Sequence, residues 1–301
     1  MASRKHKTVG FLVTGAAGYV GGAVCRRLLE TTRRDLAVVD VRPVAEGPGR
    51  KRCRRIQADL ADPAAFAALP RRVETVIHLA AVIDAPDPVE LFRANVLGTA
   101  RLLDYARGAG ARRVVFVSTG GVYGYRAGRL RESHAARPHN DYAMSKYAAE
   151  RLVEAHAGEF DTVILRLFFP YGPGQRGRFI PNLVRRIARG EPVDVHDGDR
   201  PRLNPVHVDD VIRAVMAATR IRGRHTLNIG GRQTVTVRRL AELIARRLGV
   251  EPRFRRAGGE PVTGDMAGSI RLARQVLGWQ PEITLGRGLA AVVEAYRAMS
   301  P

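Results

Sequence analysis

Tyr142 and Lys146 stand four residues apart in the stretch Tyr142-Ala143-Met144-Ser145-Lys146. On a helix, positions i and i+4 share a face one turn apart. A tyrosine ionises near pH 10, so work as a base near neutrality needs a depression of about three units, roughly 4 kcal/mol. A neighbouring ammonium, together with a second positive charge from a bound cofactor, supplies such a depression. The only lysines are Lys5, Lys7, Lys51 and Lys146, in a chain that otherwise uses arginine. A wide, delocalised guanidinium does not replace a compact ammonium at a tight site. By itself the pair reads as a surface tyrosine beside a solvated lysine; the lone lysine in the last 250 residues of an arginine-using chain points instead to acid/base machinery.

A second stretch must bring a reacting partner to that pair. Val9 to Gly21 reads as a buried strand, a glycine turn and the start of a helix, with Gly15, Gly18 and Gly21 spaced G-x-x-G-x-x-G. Gly15 permits a tight turn, Gly18 a close backbone approach, and Gly21 close packing of helix on strand. A helix starting there aims unpaired N–H groups and a positive dipole end at the turn, which suits a pyrophosphate. Asp40 closes the second strand, 19 residues after Gly21. An acid at that place accepts hydrogen bonds from the ribose hydroxyls of NAD and repels the 2′-phosphate of NADP. Arg42 leaves NADP open.

Strands and helices alternate through the first 120 residues. Strands are expected at 9–14, 36–41, 56–60, 73–81 and 113–118. Helices are expected from Gly18 to about Glu30, from Asp62-Pro63, over Val89–Arg107, and from Tyr142 to about His156. This pattern specifies an α/β fold, a Rossmann-like doubly wound parallel sheet, with ligands at the carboxyl ends of strands. Asn95 falls on the apolar stripe of its helix with Leu91, Gly98 and Leu102. A polar residue there needs partners, and a neighbouring backbone loop is the expected one. Further on, helices are expected at Phe179–Arg189, after Thr236 and around Leu289–Tyr296, with Arg253–Arg256 strand-like. The acids of His207-Val208-Asp209-Asp210 read as structural, one of them capping a helix.

The chain of 301 residues carries a net charge of +21, with 45% hydrophobic and 26% charged residues. Its arginines are scattered in ones and twos, with one run at Arg50-Lys51-Arg52-Cys53-Arg54-Arg55. No basic tail or zinc-finger spacing accompanies them. The charge reads as a solvated surface; steering of an anionic substrate or a nucleic-acid function are the alternatives, the latter disfavoured. Cys25 and Cys53 stand alone, which reads as a reduced, cytoplasmic protein without disulfides or a metal site. Arg4-Lys5-His6-Lys7 before an apolar run mimics a signal peptide, but the run carries the glycine turn. No stretch is long and apolar enough to span a membrane.

The motifs occur together in one order: the glycine turn, Asp40, Asp59-Leu60, His78-Leu79-Ala80-Ala81, Ser118-Thr119-Gly120-Gly121-Val122-Tyr123-Gly124, Tyr142-x-x-x-Lys146, Arg166-Leu167-Phe168-Phe169-Pro170-Tyr171-Gly172, His207-Val208-Asp209-Asp210, Asn228-Ile229-Gly230-Gly231 and Leu277-Gly278-Trp279-Gln280-Pro281. In this the chain resembles, over essentially its whole length, the extended short-chain dehydrogenase/reductases of the NAD-dependent epimerase/dehydratase group. The resemblance implies Tyr142 as acid/base, Lys146 as holder of the nicotinamide ribose, and Thr119 as hydrogen-bond partner of the reacting oxygen. It implies a cofactor site of Gly15, Ala17, Gly18, Tyr19, Val20, Asp40, Val41, Arg42, Asp59, Leu60, Leu79, Ala80, Ala81, Asn95, Ser118, Tyr142 and Lys146. It also implies a homodimer through the helices near 89–107 and 142–156. The division it implies is a dinucleotide-binding domain of residues 1–166 and 206–230 and a substrate domain of 167–205 and 231–301.

The reaction implied is proton removal to Tyr142 with hydride transfer to the cofactor, giving a ketone. Return of the hydride to the other face is epimerisation; a single transfer is dehydrogenation or ketone reduction. The family's 4,6-dehydratases carry Asp-Glu after the threonine, where this chain has Gly120-Gly121, which counts against dehydration. Phe169 replaces an asparagine that many sugar-nucleotide members place near the diphosphate. Leu203 and Pro205 replace an arginine and an aromatic residue. Arg176, Arg178 and Arg202 are the cations left to meet a diphosphate. The expected function is an epimerase or ketoreductase acting on a nucleotide-activated sugar. The alternatives are the same chemistry on a non-nucleotide alcohol or ketone, and a cofactor-binding regulatory or nucleic-acid-binding protein.

Overall fold

A computed structural model describes residues 8–45, 50–196, 200–258 and 263–299. The signal-like residues 4–7 lie outside the described residues. The chain divides into two compact units: residues through Val122, Asn140–Leu165 and Val215–Leu227 form the first, and Tyr123–His139, Arg166–Ala214 and Asn228 onward the second.

The first unit is built on alternating strands and helices: β1 (Val9–Thr14), α1 (Tyr19–Thr31), β2 (Leu36–Asp40), β3 (Cys53–Gln57), β4 (Val73–His78), α2 (Pro88–Phe92), α3 (Gly98–Gly108), β5 (Arg113–Thr119) and α4 (Asp141–Ala155). With β6 (Asp161–Leu167) and β11 (Arg224–Ile229), the strands form one seven-stranded sheet in the order β11-β6-β5-β4-β1-β2-β3. The pairs β1–β2, β2–β3, β1–β4 and β4–β5 are parallel. The order reverses between β1 and β4, where such sheets open a crevice at their carboxyl edge. Strand interiors such as Leu12, Val38, Val76 and Val115 are fully buried, as strands covered on both faces require. Leu102 and Leu103 of α3 and Ala149 and Val153 of α4 pack on one side of the sheet with Val114, Phe116 and Ile164.

Several boundaries differ from the sequence reading. β3 begins three residues early and passes through Arg54 and Arg55, so Asp59 lies in the turn beyond it. Arg54 tolerates an edge strand because its guanidinium reaches the carbonyl of Ala68. The segment from Pro63 is a 3₁₀ helix to Ala68, its amide at Ala64 capped by Asp62. β4 stops at His78, before Leu79-Ala80-Ala81. The long helix expected over 89–107 is broken by a π turn at Arg93–Leu97, with α2 before it and α3 after it.

The second unit contains β7 (Pro170–Tyr171), α5 (Phe179–Ala188), β8 (Val193–Val195), β9 (Arg202–Leu203), β10 (Val206–His207), most of α6 (Val208–Ala218), β12 (Val235–Thr236), α7 (Val237–Leu248), β13 (Phe254–Arg256), α8 (Arg271–Leu277) and α9 (Leu285–Met299). Ile180, Leu183, Val184 and Ile187 of α5 meet Leu240 and Ile244 of α7 and Leu289 and Val293 of α9 in one core. Thr236 caps α7 by accepting from the Arg239 amide, and Gly249 ends it in the left-handed region. Asp210 does not cap its own helix. Its buried carboxylate accepts from the amides of Glu282 and Ile283 and from Arg213, fastening a remote turn.

The arginine excess has structural work. Arg52 donates to the carbonyls of Leu29 and Thr32 at the end of α1, and Arg297 to those of Arg247 and Leu248 at the end of α7. Cations that satisfy the last carbonyls of helices are stabilising at that end. Cys25 and Cys53 are both buried and free. No helix of the described residues is long and apolar enough to cross a membrane.

Candidate active site

The glycine turn is built as its spacing demands. Gly15 takes a φ of 71°, and a Cβ there would meet the backbone nitrogen of Ala80 at 2.6 Å. A Cβ on Gly21 would meet the carbonyl oxygen of Gly15 at 2.0 Å. The amide of Gly18 donates to that same oxygen at 3.0 Å. Gly18 is the N-cap of α1 and provides no side-chain cap, and the first turn carries no acid. The helix start at Tyr19 and Val20 therefore faces the turn with its positive end unneutralised by the protein's own carboxylates, which suits a bound anion.

Asp40 ends β2 nearly buried, and its carboxylate is divided between two neighbours. One oxygen accepts from the Ala17 amide in the glycine turn at 2.9 Å, the other from the Arg42 amide at 3.0 Å. The acid thus fixes the turn while each oxygen keeps a lone pair for a ribose hydroxyl. Val41 beside it is exposed. Asp59 accepts from the Ala61 amide at 2.8 Å and pairs with Arg93 at 2.7 Å, and Leu60 is buried against Gly98. Leu79 and Ala80 are half-buried and Ala81 exposed, just past the end of β4. The Ser118 hydroxyl is buried without a hydrogen-bond partner, near the end of β5. These features fit a dinucleotide: a cradle that admits no Cβ, a dipole end for the pyrophosphate and an acid at the ribose position.

A chain of hydrogen bonds joins this turn to α4. The Ala80 amide donates to Thr14 Oγ1 at 3.2 Å, and Thr14 Oγ1 lies 2.6 Å from His78 Nδ1. His78 Nε2 lies 2.9 Å from Thr99 Oγ1, whose hydroxyl donates to the Asn95 carbonyl at 2.6 Å. The Thr99 proton is committed, so Thr99 accepts from His78. Burial holds the imidazole neutral, so it is protonated at Nε2 and accepts the Thr14 proton at Nδ1. Asn95, fully buried in the π turn, accepts from the Val82 amide and donates to the Val82 carbonyl and to Ser145 Oγ, at 2.8, 2.8 and 2.9 Å. Ser145 in turn donates to the Tyr142 carbonyl. The expected loop partner of Asn95 is thus Val82, with Ser145 of α4 as a partner besides.

Helix α4 opens at Asn140, which caps the Ala143 amide at 2.8 Å. Tyr142 is half-buried in its first turn. Lys146, one turn on, is 1% exposed, and its ammonium lies 4.0 Å from the centroid of Phe116 in β5. Burial draws Lys146 down from 10.5 to about 7, with Glu150 pushing back upward. The helix of a crossover runs back along its strand. Going from Phe116 to Thr119 and from Lys146 to Tyr142 therefore climbs in the same direction, to the carboxyl edge of the sheet. Thr119 is half-buried at that edge, its hydroxyl oxygen accepting from the Gly121 amide at 3.1 Å.

The sequence-predicted substrate residues lie in the second unit. Phe169 has a φ of 46°, the one non-glycine residue with positive φ among the described residues. Its ring meets Phe179 at a centroid distance of 5.7 Å. Arg178 is the exposed N-cap of α5. Arg202 has an exposed side chain, and its amide donates to Asp265.

Sequence reasoning missed Thr14, His78, Thr99, Ser145 and Glu150. One signal was available. Ala143, Lys146, Glu150 and Val153 fall at helical spacing on the buried face of α4, so opposite charges stand on an apolar stripe. The threonine and histidine partners carry no such signal, because the packing of β1, β4 and α3 places them together.

The sequence pattern described as the NAD dependent epimerase/dehydratase family matches residues 11–230. The UDP-glucose 4-epimerase of Mycolicibacterium smegmatis is 32% identical, over 96% of this chain and 99% of the relative. The dTDP-glucose 4,6-dehydratase of Streptomyces griseus is also 32% identical, over 96% and 94%. The structure of MoeE5 in complex with UDP-glucose and NAD superposes with a TM-score of 0.83 at 34% identity, covering 96% of this chain and 99% of that one. With the match spanning most of its length, the chain belongs to the NAD-dependent epimerase/dehydratase family.

Proposed function

We propose that this protein is an NAD-dependent epimerase or ketoreductase acting at a secondary alcohol or ketone of a nucleotide-activated sugar. The observation that carries the reading is the buried Lys146 ammonium one helical turn from Tyr142, at the strand edge where Thr119 stands. Bound NAD supplies the acceptor and donor of hydride. Gly15, Ala17, Gly18 and Asp40 would hold it, with Ser118, Ala80 and Ala81 along its groove. Tyr142 takes the proton from the substrate hydroxyl in the oxidising direction and returns it in the other. Lys146 lowers the cost of the phenolate, and Thr119 hydrogen-bonds the oxygen as it becomes a carbonyl.

Identity does not separate epimerase from dehydratase, since both relatives stand at 32%. The residues after Thr119 speak for the epimerase or reductase. A dehydratase needs a further acid/base to expel water, and Gly120 and Gly121 offer no side chain after Thr119. Replacement of Tyr142 by Phe tests the reading: turnover of UDP-glucose or dTDP-glucose is lost while NAD still binds, and an active variant refutes it. NAD that stays bound and unconsumed marks an epimerase; one reduced cofactor used per turnover marks a reductase.

The Phe169–Phe179 pair favours a second reading, in which a non-nucleotide alcohol or ketone replaces the sugar nucleotide. Calorimetric titration with UDP and dTDP decides, micromolar binding supporting the first reading and silence the second. We also infer a homodimer through the helical segments of residues 88–108 and α4, where Val89 and Phe92 of α2, Leu97 of the π turn and Met144 of α4 are exposed. Light scattering showing a monomer would overturn it.

A further inference from the structure

Resting on the role proposed for Tyr142, we propose that Glu150 is a positioning residue that keeps the Lys146 ammonium charged at the active site. Lys146 is 1% exposed and Glu150 is fully buried, one turn apart on the same face of α4. An ammonium without water survives only where other groups replace its hydration.

Few groups around it can do so. Phe116 of β5 presents a ring face 4.0 Å away, a favourable but weak partner. His78 of β4 cannot help, since both its nitrogens are engaged with threonine hydroxyls and burial disfavours its charged form. A charged His78 would also repel Lys146. From the π turn comes Asn95, whose amide is spent on Val82 and Ser145. The charged residues of α2, α3 and that turn are mutually engaged: Arg93 with Asp59 and Glu90, Arg107 with Asp104 and Glu159. Arg101 of α3 is a cation and could only discharge Lys146. On α4 itself, Arg151 pairs with Glu154 at the surface. Tyr142 becomes an anion only after Lys146 is charged, so it cannot be the standing counter-ion. Glu150 remains, and its field acts upward on Lys146 against the dominant pull of burial.

The consequence is functional rather than merely structural. With Lys146 held near the neutral range, loss of the carboxylate discharges the amine. A neutral amine no longer favours the Tyr142 phenolate.

The test reads Tyr142 directly, without a substrate. Phenolate absorbance is titrated in NAD-saturated protein, and the curve of Tyr142→Phe is subtracted from that of each protein with Tyr142 present. In wild type the difference shows an ionisation step well below pH 10. In Glu150→Gln, an isosteric change, the step moves up by about one unit or more, a tenfold loss in ionisation constant. Glu150→Asp, with a withdrawn carboxylate, gives an intermediate step and serves alone if the Gln variant does not fold. Coincident steps in wild type and the folded variants overturn the proposal, whatever happens to their melting temperatures. A wild-type difference without any step below pH 10 instead refutes the acid/base role of Tyr142.

Discussion

Asn95 and Ser145 are fifty residues apart in the chain and share a buried hydrogen bond of 2.9 Å. The contact ties the π turn to the first turn of α4, the turn that carries Tyr142. A π turn widens the helix by one residue and is common at functional sites. Here it holds the Asn95 amide where Val82 and Ser145 can both be reached.

Replacing Asn95 by Leu keeps the volume and removes three buried hydrogen bonds. The Val82 amide and carbonyl are left with fewer partners, at a cost of roughly 2–4 kcal/mol. The expected outcome is a drop of the urea midpoint by that free energy, with slower turnover because α4 loses its tie. Unchanged stability would show that the loop at Val82 finds water instead.

His78 makes the fold acid-sensitive. Burial first, and then the charge of Lys146, push it down from 6.5 to about 3. Between those values the unfolded chain holds a proton that the folded chain lacks, so stability falls as pH drops from about 6.5 to about 3. One such group removes about 1.4 kcal/mol per pH unit. Urea unfolding at pH 7, 6 and 5 should show this slope in wild type and a shallower one in His78→Gln.

Gly21 and Gly22 are neighbours with opposite tolerance. A Cβ on Gly21 would lie 2.0 Å from the Gly15 carbonyl oxygen, while one on Gly22 would lie 3.3 Å from that of Ala16. Gly21→Ala should therefore displace the turn and weaken NAD binding tenfold or more, about 1.4 kcal/mol. Gly22→Ala should bind NAD within a factor of a few. Fluorescence titration with NADH checks both.

Phe169 occupies a left-handed backbone site that asparagine adopts more readily. Phe169→Asn relieves strain of about 1–3 kcal/mol and loses an aromatic contact of about 0.5–1.5 kcal/mol. These nearly offset, so the melting temperature should move by only a few degrees. If this segment faces a diphosphate, affinity for UDP should rise several-fold in calorimetry. No change in affinity would place the phosphates elsewhere.

Local chemistry made the glycine turn, the acid at the end of β2 and the Tyr142–Lys146 pair legible from the sequence. Gly15 and Gly21 sit where a Cβ has no room, Asp40 ends the second strand, and Tyr142 and Lys146 share one turn of one helix. Each of these follows from spacing along the chain, because turns and helices are local structures. The tertiary structure alone decided the rest. Thr14, His78 and Thr99 become one proton-ordered chain only when β1 and β4 lie side by side and α3 closes over them. Asn95 finds Ser145 only through a π turn that the apolar stripe does not announce. The depth of Lys146 and Glu150 depends on how α4 beds on β5, and burial sets the charge of both His78 and Lys146. Contacts between distant segments carry no fixed spacing, so periodicity cannot encode them; desolvation depends on the whole surrounding shell, so no single stretch can report it.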